Sequence, residues 1–167
     1  MQYANWSQEI FEQMRQGGVD CVHVTIAYHE NFRETVLNLE RWNTYFNNYS
    51  EYIMQAGSYD DILAAKKNKK TAIIFGFQNP SPIEDDIFLL EVWKKLGIRF
   101  MQLSYNNQSL LATGCYEEND PGITRMGKEV IKEMNRLGIV VDMSHSSDRS
   151  TLELSLIHIS EPTRLRR

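Results

Sequence analysis

Three apolar runs of the sequence, each rich in β-branched residues, end in side chains that can bind ligands or transfer protons. Gln78 ends the first run, Tyr105 the second and His145 the third. An imidazole can ligate a metal or accept a proton, a phenol can donate a hydrogen bond, and an amide can donate and accept. The carboxyl ends of parallel strands meet at one edge of a sheet, where α/β barrels keep their catalytic residues. The pattern therefore predicts a site at these ends, with a purely structural role as the alternative, since every parallel strand must end in some polar residue.

Segments with helical periodicity separate these runs and predict alternating helices and strands. Continuous apolar character predicts four strands, at residues 19–26, 71–78, 98–105 and 139–145. Alternation with helices makes the strands parallel, so the fold class is α/β. A doubly wound sheet and a (β/α)8 barrel both fit, but no Gly-x-Gly-x-x-Gly motif follows a strand, which disfavours dinucleotide binding. A TIM barrel takes about 250 residues, so if the fold is the barrel, the chain would be a partial (β/α)8 TIM barrel, about its first half.

Local signals add three expectations. Ser81 as N-cap, Pro82 at the first helical position and Glu84 at the third form a capping box, which predicts that a helix begins there. The polar segment 106–122 is long for a connection between a strand and a helix, so it is a candidate functional loop. Asp142 lies inside a predicted strand, where holding a neighbouring loop is a simpler role than catalysis.

Composition disfavours two kinds of partner. The 167 residues are 42% hydrophobic and 24% charged with a net charge of −4, so no basic surface for nucleic acid is expected. No apolar run approaches the roughly 18 residues that a membrane span needs, and the first residues do not resemble a signal peptide. Cys21 and Cys115 are far apart and have no CxxC partner, which indicates free thiols and a reducing cytoplasmic location.

The sequence changes character after Glu153. Residues 154–164 resemble the translation of an adapter used to prepare sequencing libraries, so residues 154–167 are interpreted as a non-native tail that includes His158. Residues 1–153 then form one domain, the N-terminal part of a barrel, and the natural chain is expected to continue beyond it. A genuine C-terminal segment is the alternative.

Three stretches carry a resemblance to a known family. Residues 96–107 read Leu-Gly-Ile-Arg-Phe-Met-Gln-Leu-Ser-Tyr-Asn-Asn, residues 122–138 begin Gly-Ile-Thr and end Glu-Met-Asn-Arg-Leu-Gly, and residues 140–147 contain Asp-Met-Ser-His. In this order and spacing, residues 18–153 resemble the membrane (renal-type) dipeptidases, peptidase family M19. The resemblance implies an amidohydrolase-like barrel with two zinc ions at the C-terminal ends of its strands. The zincs would activate a bridging water that attacks the carbonyl of a dipeptide.

The matching positions are only partly those of the family. His145 matches a histidine ligand of the family, but Gln78 stands where the family has the glutamate that bridges the two metals. Tyr105 stands where the family has a substrate-contacting histidine, and Asn106 and Asn107 would shape the substrate pocket. The remaining ligands of the family would fall at or before the first residue and after the predicted domain. A neutral amide does not bridge two zinc ions as an anion, so the metal pair would be poorly compensated.

Three functional hypotheses stay open. The first is a metal-dependent hydrolase of dipeptides or related small amides, with Gln78 and Tyr105 catalytic, Asn106 and Asn107 binding substrate, and His145 ligating zinc. The second is a diverged, metal-free barrel that binds a small polar ligand. The third is that the fragment itself is inactive, because an open half-barrel exposes strand edges and apolar faces.

Overall fold

The computed structural model describes residues 4–160, and the side chains of residues 4–157. Within these residues helices and strands alternate. The helices are α1 (Gln8–Gln16), α2 (Phe32–Asn48), α3 (Tyr59–Lys67), α4 (Leu89–Lys95), α5 (Arg125–Leu137) and α6 (Asp148–Ser160). The strands are β1 (Cys21–Ala27), β2 (Ile53–Gln55), β3 (Thr71–Phe77), β4 (Ile98–Gln102) and β5 (Val140–Asp142). No helix in residues 4–160 is long and apolar enough to cross a bilayer.

The strands form one parallel sheet with β3 at its centre. β1 pairs along one side of β3, while β2 pairs with the beginning of β3 and β4 with its end. β5 pairs with β4, so the sheet order is β1-β3-β4-β5 with β2 beside β3. Parallel neighbours need crossover connections, which helices supply here. All of the paired strands therefore point their carboxyl ends to the same edge of the sheet.

The predicted number of strands was wrong by one. The structure contains the four expected strands as β1, β3, β4 and β5, and adds β2 between α2 and α3. β2 has only three residues, which is too short to show an alternating or continuous apolar pattern. It pairs with the first residues of β3, away from the carboxyl ends, and does not change the predicted placement of the site.

The helix-facing side of the sheet forms the core. Val24 and Ile26 of β1 and Phe75 and Phe77 of β3 are buried there. Trp42 of α2 packs against Phe75 with ring centroids 5.7 Å apart. Burial of one such side chain contributes about 1.5–3 kcal/mol to folding, so this layer holds the strands in the register that aligns their ends.

The opposite side of the sheet carries a partly buried histidine, His23 of β1. The ring of His23 lies on that of Phe100 with centroids 4.1 Å apart, and it also contacts the backbone of Gly76. Its Nε2 is buried and has no hydrogen-bond partner among the described residues. Burial lowers the pKa of His23 to about 4, so the ring is neutral at pH 7. His23 is thus packed inside the structure, as expected for a residue in the middle of a strand.

The helix predicted to begin at Pro82 begins later. Ser81–Ile83 form a short 3-10 turn, and Glu84 adopts φ of 52°, so the predicted capping box does not form. The carbonyl of Pro82 accepts a hydrogen bond from the buried indole N–H of Trp93 at 2.9 Å. This carbonyl is therefore engaged by a side chain and not by a helical turn, and α4 begins at Leu89.

The strand predicted to be buried near residue 140 lies at an edge of the described sheet. Val140 is 50% exposed, because β5 pairs only with β4 within the described residues. Helix α6 follows it and spans residue 154, the predicted start of the non-native tail, with Leu154 6% exposed. The domain boundary at residue 153 stays a prediction, and residues 161–167 lie outside the described residues.

Replacement of Gly76 by alanine is expected to destabilise the protein. A Cβ at this position would come within 2.0 Å of Nε2 of His23 and 3.0 Å of the carbonyl oxygen of Phe100. Overpacking of this kind costs about 1–3 kcal/mol, measurable as the free energy of urea unfolding of the full-length protein. Because the closest clash is with the imidazole, adding His23→Ala should recover part of the loss. Strict additivity of the two changes would contradict the proposed contact.

His23 should make stability depend on pH. Its pKa in the folded state, about 4, lies below the ordinary 6.5, so the unfolded chain binds more protons between these values. Stability should therefore fall as pH drops from about 6.5 towards about 4. Denaturant midpoints across this range should show a shallower fall in His23→Gln than in the wild type. The exposed His29 provides the control, and equal slopes in His23→Gln and His29→Gln would contradict the prediction.

Candidate active site

The predicted site residues follow three neighbouring strands at the carboxyl edge of the sheet, and those after β4 and β5 are in contact. Gln78 follows β3, Tyr105 and Asn106 follow β4, and His145 follows β5. The ring of Tyr105 lies 4.4 Å from that of His145, centroid to centroid. Nδ1 of His145 is 2.7 Å from Oδ1 of Asn106. The structure thus brings Tyr105, Asn106 and His145 together, as the strand pattern predicts.

Tyr105 also contacts the end of β1. Its ring meets those of Tyr28 and His29 edge to face, with centroids 5.4 and 5.6 Å away. Nδ1 of His29 is in turn 3.2 Å from Nδ2 of Asn79, which follows β3. Nothing local in the sequence indicates that Tyr28 and His29 reach Tyr105, because these contacts depend on the order of the strands in the sheet.

Gln78 is held by the end of β1. Its side chain is buried, and its Oε1 accepts a hydrogen bond from the hydroxyl of Thr25 at 3.1 Å. Its backbone N–H donates to the carbonyl of Ala27 at 2.9 Å. Sequence reasoning missed Thr25, although it lies two residues after His23 and so on the same face of β1. This hydrogen bond and the backbone contact with Ala27 hold the Gln78 side chain against the end of β1.

Asn107 stands apart from this cluster. Its side chain is exposed, and its backbone N–H donates to the carbonyl of Tyr105 at 2.7 Å. Its predicted role in substrate binding stays a prediction. What the structure shows directly is a local turn that shapes the chain after Tyr105.

Asp142 organises the loop that leads to His145. Its Oδ1 accepts hydrogen bonds from the N–H and the hydroxyl of Ser144, and its Oδ2 accepts one from the amide of Gln102 at 3.2 Å. Burial acts to raise the pKa of Asp142, but the hydrogen bonds from Ser144 and Gln102 outweigh it and keep the pKa below its ordinary value. The geometry agrees with the expectation that this carboxylate holds a neighbouring loop.

The long loop between β4 and α5 returns to the same edge. Gly114 forms an isolated antiparallel bridge with Ser146, and the N–H of Cys115 donates to the carbonyl of His145 at 3.0 Å. Asp120 in this loop accepts hydrogen bonds from the hydroxyl of Ser147 and from the backbone N–H of Arg149 at the start of α6. The loop therefore fixes the segment that carries His145, which supports its selection as a candidate functional loop.

Comparison with known families identifies the chain. The family model for membrane dipeptidases (peptidase family M19) matches residues 4–160. The chain belongs to this family. The family is one of metallopeptidases, so membership implies metal use in the family as a whole.

Curated members of the family match over part of their length. Dipeptidase tcpJ of Claviceps purpurea is 24% identical over 136 residues, covering 80% of this chain and 31% of that protein. An uncharacterized dipeptidase of Schizosaccharomyces pombe, C965.12, is 35% identical over 96 residues, covering 54% and 23% respectively. The chain therefore spans about a third or less of the length of these curated relatives.

Solved structures support the fold. An amidohydrolase from Pseudomonas aeruginosa superposes with a TM-score of 0.89 and 40% identity, over 92% of this chain and 47% of that one. The family M19 metallopeptidase called dipeptidase AC superposes with a TM-score of 0.79 and 14% identity, over 88% and 50%. These neighbours confirm the predicted fold, a partial (β/α)8 barrel that covers about half of a complete one.

The side chains present do not match a two-zinc site. Among the described residues, no three His, Cys, Asp or Glu side chains lie close enough together to hold a metal ion. Gln78 offers only a neutral amide, which is already in a hydrogen bond with the Thr25 hydroxyl. One imidazole and one amide do not provide the negative charge that two adjacent dications require.

The Thr25–Gln78 hydrogen bond should contribute measurably to stability. Thr25→Val keeps the shape of the side chain but removes the donor, which leaves the buried oxygen of Gln78 unpaired at a cost of about 1–3 kcal/mol. Urea unfolding of the full-length protein measures this loss. Thr25→Ser retains the hydroxyl and should lose less stability than Thr25→Val. Equal losses in the two variants would contradict a contribution from this bond.

Proposed function

We propose that the full-length protein hydrolyses dipeptides or related small amides at the carboxyl ends of β3, β4 and β5. The single observation that carries this proposal is the match of residues 4–160 to the membrane dipeptidase family. The cluster of Tyr105, Asn106 and His145 at the strand ends supports it, because this edge is where barrels of this kind hold their substrates.

Each residue at the edge has a proposed role. The phenol of Tyr105 donates a hydrogen bond to a carbonyl oxygen of the substrate. The amide of Gln78, with its oxygen held by Thr25, turns its N–H end to polar groups of the ligand. His145 accepts a proton or a hydrogen bond, and Asn107 forms part of the rim of the pocket.

The proposal also includes a dependence of the activity on zinc. His145 is the proposed metal ligand, and Gln78 lacks the charge that would complete a two-zinc pair in the described part of the chain. A negative charge at residue 78 should therefore strengthen metal binding. Gln78→Glu supplies it with the same side-chain length, while Gln16→Glu adds the same charge at the exposed end of α1 as a control.

A second candidate function is binding of a small polar ligand without hydrolysis. The observation that favours it is the hydrogen bond between Thr25 and Gln78, both of which are buried. An amide fixed in this way is suited to recognising hydrogen-bonding groups and poorly suited to bridging metal ions. Aromatic rings around Tyr105 would supply the apolar part of such a pocket.

Activity and metal content of the full-length protein separate these alternatives. We expect release of free amino acids from a panel of dipeptides, fewer than two zincs per chain in the wild type, and more zinc in Gln78→Glu than in Gln16→Glu. Elemental analysis and chromatography of the products measure both quantities. A folded full-length protein that cleaves no dipeptide or small amide, with or without added zinc, would overturn the proposal and favour the binding function, testable by calorimetry with the same panel.

A further inference from the structure

Asn106 and His145 form a direct contact between the ends of two strands. Asn106 lies four residues after the end of β4 and His145 three residues after the end of β5. Their side chains approach to 2.7 Å between Oδ1 and Nδ1, the distance of a strong hydrogen bond. The two residues are 39 positions apart in the sequence, so only the parallel alignment of β4 and β5 brings them together.

The backbone around this contact is fixed on both sides. The N–H of Cys115 donates to the carbonyl of His145 at 3.0 Å, and the N–H of Tyr116 donates to the carbonyl of Asn106 at 2.8 Å. Gly114 allows this close approach, because a Cβ there would lie 2.1 Å from the carbonyl oxygen of Asn106. One short segment of the long loop therefore clamps both partners.

The conformation of Asn106 suits an asparagine. Its φ is +61°, in the left-handed region that asparagine and glycine adopt more readily than other residues. With the backbone so placed, the short amide side chain reaches Nδ1 of the imidazole. The ring of Tyr105, 4.4 Å away between centroids, packs against His145 and limits its rotation.

The chemistry of the contact determines the protonation of the ring. A carbonyl oxygen only accepts hydrogen bonds, so the nitrogen that faces it must carry the hydrogen. The thiol of Cys115 lies 3.7 Å from the same Oδ1, as a second and weaker donor. The structure places Oδ1, and not Nδ2, of the Asn106 amide against Nδ1 of His145.

We propose that Asn106 is a positioning residue that holds His145 in the tautomer with hydrogen on Nδ1, which leaves Nε2 as the unprotonated nitrogen for the role of His145 in the proposed function. In this arrangement Asn106 acts through His145 and not by binding substrate itself. Histidines that must present one nitrogen are commonly fixed by a hydrogen bond at the other. The inference rests on the proposed function only for the use made of Nε2.

The tautomer of His145 can be measured directly. Full-length protein labelled with ¹⁵N in histidine gives distinct signals for protonated and unprotonated ring nitrogens, and His145→Gln identifies the signals of this ring. We expect Nδ1–H in the wild type at neutral pH. Asn106→Gly fits the left-handed backbone but has no acceptor, so it should shift the ring towards Nε2–H. Asn106→Asp keeps an acceptor and should retain Nδ1–H.

Asn107→Gly is the matched control, because it removes the adjacent, exposed amide and increases backbone conformational freedom as much as Asn106→Gly does. It should leave the His145 tautomer unchanged. Nε2–H in the wild type, or the same tautomer in the wild type and in folded Asn106→Gly, would overturn the inference. If Asn106→Gly does not fold, Nε2–H in the wild type still overturns the inference.

The outcome is separable from that of the proposed function. A wild type that shows Nδ1–H but cleaves no dipeptide keeps the positioning role and removes the hydrolase. A wild type that cleaves dipeptides with Nε2–H at His145 keeps the hydrolase and removes the positioning role.

Discussion

Parallel pairing of the strands on either side of β3 is the constraint on which the site depends. Because every paired strand runs in the same direction, residues far apart in the chain arrive at one edge of the sheet. Thr25 meets Gln78 there, and Asn106 meets His145. Neither pair has any local reason to form, so a change that shifted the register of one strand would separate them while leaving each helix and turn intact.

Close packing on the side of the sheet opposite the helices helps to hold the register of the strands. His23 of β1 reaches across β3 to Phe100 of β4, which is possible only because Gly76 between them has no side chain. The neutral ring therefore links three strands below the site. A larger residue at 76 would push β1 and β4 apart, and with them the Thr25 and Tyr105 that they carry. The packing of the interior and the geometry of the site are consequently not independent.

The sequence predicts the parts of the fold that depend on long, regular patterns. The strands containing Val24, Phe75 and Met101 were predictable because continuous apolar runs between helices indicate buried parallel strands. β2 was not, because three residues carry no period. The start of α4 was predicted wrongly, since the signals at Ser81–Ile83 were local and the Trp93 indole takes the Pro82 carbonyl from a distant position. Local rules fail where a long-range contact uses the same atoms.

The residues of the site also divide into those that the sequence predicts and those that depend on long-range contacts. That Gln78, Tyr105 and His145 come at strand ends is visible in the sequence, whereas their partners Thr25, Tyr28 and Asn106 depend on strand order and loop path.

The chemistry of the site also depends on those partners. Gln78 is bound to a hydroxyl and His145 to an amide, so neither pair includes a carboxylate and these contacts bring no negative charge to the described edge. A dipeptide, which is itself polar and zwitterionic, can be recognised by such groups, but two dications cannot be balanced by them. If hydrolysis at this edge uses metal, the compensating charge must come from residues other than those that meet here.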